Sequence, residues 1–126
     1  LNYHELLKLN EQEKELFYKM HKTGWGIKTE FNNNFSLTKI KNDITEFTIP
    51  FSYDIVYFDA FAPGKQPEMW SKNVFQKLYN NLNPKGILTT YCSKGGVKRT
   101  LMSLEYRVES IPGPRGKREI IRAQKL

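Results

Sequence analysis

Cysteine is nearly absent: Cys92 stands alone in 126 residues, which excludes a disulfide framework and a four-cysteine zinc site. Histidine is almost as scarce, and the two present, His4 and His21, fall on helical segments far from each other and from Cys92, so no metal site is expected. No apolar run approaches the roughly 18 residues a membrane helix needs, and no charged-then-apolar segment resembles a signal peptide. A cytoplasmic protein with no membrane attachment is the expectation. Repeats and low-complexity tracts are missing too. What is present, 39% hydrophobic and 13% aromatic residues against 26% charged, suffices to bury a core and describes neither a disordered nor a collagen-like chain. The length fits one domain. The opening residue is Leu1 where an unprocessed product has methionine, so the chain reads as a fragment.

Acidic residues run short in one region only. Residues 85–126 hold ten Lys/Arg and three Asp/Glu, whereas residues 1–84 hold ten of each, so the final third carries the whole net charge of +7. Charge placed in this way points to a face for phosphate or nucleic acid, with a solvated basic surface as the plain alternative.

Asn2 with Glu5, and Asn10 with Glu13, each place a capping side chain three residues before a carboxylate, which predicts two helix starts. The second helix carries Leu16, Phe17 and Met20 and is expected to stop at Gly24. Residues 24–34, with three consecutive asparagines, read as loop, and Phe35–Ile40 as a short strand ended by Asn42-Asp43. Tyr53–Phe58 is β-branched and aromatic without clean alternation, the pattern of an interior parallel strand covered on both faces. Pro67 is expected to open a helix with a stripe of Trp70, Val74, Phe75, Leu78 and Leu82, ended by Asn83-Pro84-Lys85-Gly86. A strand at 86–92, a short helix after Gly95-Gly96, a strand at 106–110, a turn at 112–116 and a last strand from Arg118 to Ala123 follow. Strand–helix–strand units imply a parallel sheet, here closed by an antiparallel pair.

Ligands in open α/β sheets bind beyond the carboxyl ends of the strands, and Asp59 stands there, after the most apolar strand, in the stiff aromatic loop Asp59-Ala60-Phe61-Ala62-Pro63-Gly64. Its plain reading is a turn residue that caps the next helix. Asp43 is in a similar position, and there an Asx turn and a ligand role stand equal. Gly24-Trp25-Gly26 lacks the third glycine and the preceding strand of a dinucleotide site. Gly113–Arg118 imitates a phosphate loop, but its spacing is too short and no Ser/Thr follows Lys117. Cys92 reads as a core thiol at a strand end rather than a nucleophile. Lys94, Lys98, Arg99, Arg115, Lys117 and Arg118 lie in loops or helix starts, where basic side chains near Tyr91 and Trp70 are placed to hold a phosphate backbone and stack a splayed base.

Five stretches carry a family resemblance: Tyr57-Phe58-Asp59-Ala60-Phe61-Ala62-Pro63; Pro67-Glu68-Met69-Trp70; Asn83-Pro84-Lys85-Gly86-Ile87-Leu88; Thr90-Tyr91-Cys92-Ser93 with Gly96-Val97-Lys98-Arg99; and Pro112-Gly113 with Gly116-Lys117-Arg118-Glu119. From Asp54 onward the sequence resembles the methyltransferase domain of the bacterial bifunctional enzyme that completes methylaminomethyl modification of the tRNA wobble uridine, and its stand-alone relatives. These are class I S-adenosylmethionine-dependent methyltransferases. The resemblance covers a little over half of the chain; residues 1–50 match only in layout.

The resemblance implies an α/β fold, an incomplete Rossmann-like class I methyltransferase in which parallel strands with crossover helices end in an antiparallel hairpin. It implies S-adenosyl-L-methionine as cofactor and tRNA as partner. Asp43, with Ile44 beside it, would meet the adenine amino group; Asp59 would lie near the transferable methyl and serve as the catalytic carboxylate; Ala60, Phe61 and Pro63 would wall the cofactor. Trp70, Tyr91 and Ser93 would shape the uridine pocket, with Lys65, Lys98, Arg99, Lys117 and Arg118 approaching the RNA. The family's first strand and glycine-rich loop have no counterpart, so residues 1–126 are expected to be the C-terminal part of one methyltransferase domain, with open sheet edges that favour rearrangement or an oligomer. Two other readings stay open: a non-catalytic basic RNA-binding module, and a methyltransferase of the same family acting on a small-molecule amine.

Overall fold

The computed structural model describes residues 3–126, which divide after Asn42 into two compact units. The first contains α1 (Tyr3–Leu6), α2 (Glu11–Lys22) and a hairpin of β1 (Lys28–Asn32) and β2 (Phe35–Thr38). Asn10 starts α2 as its spacing predicts: Asn10 Oδ1 accepts from the Glu13 N–H at 2.9 Å, and Glu13 Oε2 accepts from the Asn10 N–H at 2.8 Å. The Asn2–Glu5 pairing lies outside the described residues. Thr23 caps α2 with an extended backbone, so the helix stops at Gly24 as expected, and the positive φ, +72°, falls two residues on at Gly26.

The segment expected as loop contains β1 instead. The asparagines make a tight turn rather than a long loop: the Asn34 N–H donates to Asn32 Oδ1 at 2.8 Å, and the chain folds back so that the Phe31 and Phe35 rings lie 5.3 Å apart.

In the second unit, β3 (Tyr53–Phe58), β4 (Leu82–Thr90), β5 (Tyr106–Pro112) and β6 (Glu119–Lys125) form one sheet in the order β3-β4-β6-β5. β3 runs parallel to β4 and is joined to it through a 3-10 turn (Pro67–Trp70) and α3 (Lys72–Asn81). After α4 (Gly95–Met102) comes β5, and β6 returns antiparallel to both β4 and β5, inserted between them. The strand–helix pattern predicts this parallel pair and its antiparallel closure, and the whole is the α/β, Rossmann-like arrangement that the family resemblance implies.

The α-helix begins five residues later than Pro67. Pro67 opens only the tight turn, and Ser71, with extended backbone, caps α3 through its Oγ, which accepts from the Val74 N–H at 3.3 Å. The apolar stripe then buries Trp70, Val74, Phe75 and Leu78 on one sheet face, in a core with Leu88, Leu101, Ile121 and Ala123.

Among the described residues β3 lies at the edge of the sheet, paired only with β4, where the sequence pattern expects an interior strand. Phe58 points to the helices, its ring 5.1 Å from Trp70 and 5.3 Å from Phe75, while Ile55 and Tyr57 on the other side of the pleat are 53% and 80% exposed. Both sides of this strand are apolar, and one is covered.

Candidate active site

Asp59 follows Phe58 at the carboxyl end of β3 and is exposed. The backbone behind it is held by two aromatic donors from different elements. Tyr91, just past β4, donates its Oη–H to the Ala60 carbonyl at 2.7 Å, and Trp70 donates Nε1–H to the Phe61 carbonyl at 2.7 Å. The Ala62 carbonyl accepts from the N–H groups of Lys65 at 2.7 Å and Gln66 at 3.0 Å, closing the loop on itself. Successive carbonyls are thus fixed, and the Phe61 side chain is left 76% exposed beside the carboxylate.

Two clefts meet at this loop. One, of about 420 Å³, is lined by Asp59, Ala60, Phe61, Ala62, Gln66 and Tyr91. The other, of about 380 Å³, is lined by Tyr57, Phe58, Asp59, Thr89, Thr90, Tyr91, Pro114 and Ile120. Asp59 and Tyr91 belong to both. Desolvation, then the neighbouring Cys92 and Asp59, push the Tyr91 hydroxyl above its ordinary pKa, so it stays a donor to Ala60.

The basic loop after β5 is tightly built. The Lys117 N–H donates to the Pro114 carbonyl at 2.8 Å, and Gly116 has φ +87°. A Cβ on Gly113 would lie 2.5 Å from the Lys117 carbonyl oxygen, so this close approach requires glycine. Lys117 Nζ lies 5.6 Å from the Tyr91 ring centroid, which brings the basic loop to the Asp59 loop through one aromatic ring. Arg115 and Arg118 are exposed beside it.

The other expected site residues are placed differently. Trp70 is 7% exposed among Phe58, Phe75 and Tyr91, with its N–H engaged, so it holds the loop from within the core and offers no free face. Asp43 forms the Asx turn: its Oδ1 accepts from the Thr45 N–H at 2.9 Å and the Thr45 hydroxyl at 2.7 Å. The hydroxyl first, and then the N–H, hold its carboxyl below the ordinary carboxylate range. Half-buried Ile44 gives its carbonyl to Lys77 Nζ at 2.9 Å. Neither Asp43 nor Ile44 lines either cleft, and the same holds for Pro63, Ser93, Lys65 and Arg99. Cys92 is buried, a core thiol as its strand-end position predicts.

Lys98 pairs with Glu119 at 3.1 Å and so ties α4 to β6. That pair, through its hydrogen bond and then its charge, lowers the Glu119 pKa. A depressed carboxylate contributes stability that is present above its unfolded pKa and is lost as pH falls through the folded one. Acid titration of Lys98→Met should therefore show a smaller loss of stability across the carboxylate range than the parent chain does. Equal acid sensitivity in chemical denaturation would remove Lys98 from this role.

Among the described residues, no group of three or more His, Cys, Asp or Glu side chains converges, and no helix is long and apolar enough to cross a membrane. Tyr57, Gln66, Pro114 and Ile120 line the clefts without having been singled out as site residues in the sequence. For Tyr57 the signal was there: it precedes Asp59 by two residues on a strand, and so takes the same side of the pleat.

Asp59 thus stands on a stiff loop at the end of a parallel strand, in an α/β sheet closed by an antiparallel hairpin. The family described as S-adenosyl-L-methionine-dependent methyltransferase matches residues 5–126, and the chain belongs to it. It is 29% identical over 119 residues to the tRNA 5-methylaminomethyl-2-thiouridine biosynthesis bifunctional protein MnmC of Pseudomonas putida strain GB-1, covering 93% of this chain and 18% of that protein. It is 32% identical over 97 residues to the protein of the same name from Pseudomonas fluorescens strain Pf0-1, covering 75% of this chain and 15% of that one. The crystal structure of MnmC2 from Aquifex aeolicus superimposes with a TM-score of 0.69 at 26% identity, over 91% of this chain and 37% of that chain. The chain thus spans under a fifth of the length of the curated relatives it matches.

Proposed function

We propose that residues 1–126 are the C-terminal part of a methyltransferase domain that methylates the aminomethyl nitrogen of a modified wobble uridine in cytoplasmic tRNA, with Asp59 as its catalytic carboxylate. The reading is carried by the position of Asp59, shared between two clefts at the end of β3. It is supported by the likeness to MnmC and by the basic final third. The glycine-rich cofactor unit of the domain lies outside these residues in this reading, which accords with the 37% of the MnmC2 chain that is covered.

The cleft beside Phe61 fits part of the family's cofactor. Its volume, about 420 Å³, falls in the range of roughly 300–1,000 Å³ common for small-molecule sites, and it offers a carboxylate, an amide and an exposed aromatic ring. S-adenosyl-L-methionine, when bound, supplies an electrophilic methyl group on a positively charged sulfur. Asp59 has the remaining work: it accepts a hydrogen bond from the neutral amine, aligns the nitrogen lone pair, and takes the proton released as the new N–C bond forms. Tyr91 and Trp70 hold the Ala60 and Phe61 carbonyls and so fix where that carboxylate points. Ala60 and Phe61 shape the cofactor side of the cleft; Pro63, and Asp43 with Ile44 at the adenine end, line neither cleft and are assigned to the cofactor on the family likeness alone. Ser93, Lys65, Lys98, Arg99, Lys117 and Arg118 belong to the RNA side, Lys117 and Arg118 foremost because both are exposed on the loop whose Lys117 Nζ lies over the Tyr91 ring of the clefts.

Transfer of a labelled methyl group to tRNA isolated from cells lacking the final methylation tests this reading. Label at the wobble uridine supports it. Transfer to a free amine with no competition from tRNA would favour the small-molecule alternative, and salt-sensitive RNA binding without any methyl transfer would favour the binding module.

A further inference from the structure

We infer that Lys77 on α3 is a positioning residue for the cofactor's adenine end: it latches the turn that carries Asp43 and so sets where that carboxylate stands relative to the Asp59 loop. This rests on the cofactor reading above, in which Asp43 meets the adenine amino group.

The turn is small and closes on itself. The Asp43 carbonyl accepts from the N–H groups of Phe47 at 2.7 Å and Glu46 at 3.1 Å, while its carboxylate takes the Thr45 N–H and hydroxyl. Ile44 and Phe47 pack against the core, but apolar contacts are non-directional and leave the turn's orientation unset. Lys77 supplies a directional contact. Its half-buried side chain donates from Nζ to two successive carbonyls, Ile44 at 2.9 Å and Thr45 at 2.9 Å, across 33 and 32 positions of sequence. An ammonium suits this task, because its three donors can serve both carbonyls at once and bonds from a charged donor are the stronger kind.

The same segment reaches the Asp59 loop. α3 starts at Lys72, directly after Trp70 and Ser71, and Trp70 Nε1–H holds the Phe61 carbonyl, so one stretch of chain bonds the Asp59 loop at its front and the Asp43 turn from its middle. Asp43 lines neither cleft at Asp59, so the two ends of an elongated cofactor would be kept at a fixed spacing through this stretch. The Thr45 hydroxyl, then the Thr45 N–H and after them the Lys77 charge keep Asp43 ionised, the acceptor form that an amino group requires.

The test uses a methylation-competent protein containing this chain and two unreactive probes, S-adenosyl-L-homocysteine and its S-inosyl counterpart without the 6-amino group, titrated by calorimetry in the absence of tRNA. Lys77→Met should weaken the adenosyl probe about tenfold, the factor of one displaced hydrogen bond, and leave the inosyl probe unchanged. Lys77→Arg should restore most of the loss, and Lys77→Gln, which keeps one donor group, should fall between the two and serves where the methionine variant melts below the assay temperature. Equal weakening of both probes, or no weakening of either, would overturn the positioning role. Asp43→Asn tells the two levels apart. A changed preference between the probes there, with none at Lys77, removes Lys77 alone; an unchanged preference there removes the adenine assignment on which the inference rests.

Discussion

Asp59→Asn, measured in a methylation-competent protein containing this chain, should lower kcat by about 10²–10⁴-fold, the usual contribution of a positioned general base, with little change in KM for tRNA. Asparagine keeps the volume and one acceptor oxygen but cannot take the amine proton. The carboxylate is exposed on a loop held through the Ala60 and Phe61 carbonyls, so the fold does not depend on it. Single-turnover rates at saturating tRNA separate the chemical step from binding. Full activity in this variant would strip Asp59 of its role, whatever the family likeness.

The second large effect is expected at Trp70. Trp70→Ala should cost about 3–5 kcal/mol, the range for deleting a buried large aromatic side chain, and should broaden or abolish cooperative unfolding of the second unit. The ring lies edge-on to Phe58, Phe75 and Tyr91, so its loss opens a cavity shared by three neighbours. Trp70→Phe separates packing from hydrogen bonding: it retains much of the contact but leaves the Phe61 carbonyl without its donor, at a cost of about 1 kcal/mol. Denaturant titration followed by circular dichroism gives both values. A loss below about 1 kcal/mol in the alanine variant would contradict the buried placement.

These two residues also show what the sequence disclosed and what it concealed. The Asn10–Glu13 capping box, the stripe through Val74, Phe75 and Leu78, and the antiparallel return of the last strand were legible because each depends on spacing within one element. The position of Asp59 at a strand end was legible because the apolar run before it marks β3, and topology makes such a position a candidate site. Trp70 was not, because its neighbours in space, Phe58 and Tyr91, come from other elements; spacing marked it as apolar but not as a donor to Phe61. β1 was concealed by its asparagines, which read as a loop and proved to be a turn between paired strands. The apolar run of β3 predicted two covered faces, but composition does not say which elements are present to cover them. Tyr57 passed as strand filling for the same reason.

The insertion of β6 between β4 and β5 also sets an order of events in time. β5 and β6 meet across a short, glycine-bearing loop, whereas β6 reaches β4 by pairing Ile87 with Gln124, far along the chain. A local hairpin closes in about 1–10 μs, and the long-range pairing must wait for a larger loss of chain entropy. The β5–β6 hairpin should therefore form first and dock onto β4 as a unit. Gly116→Val, which forces a branched residue into φ +87°, should then slow the refolding limb of a chevron plot more than it speeds unfolding. The loop that carries Arg115, Lys117 and Arg118 would thus also act as the nucleus from which the sheet assembles.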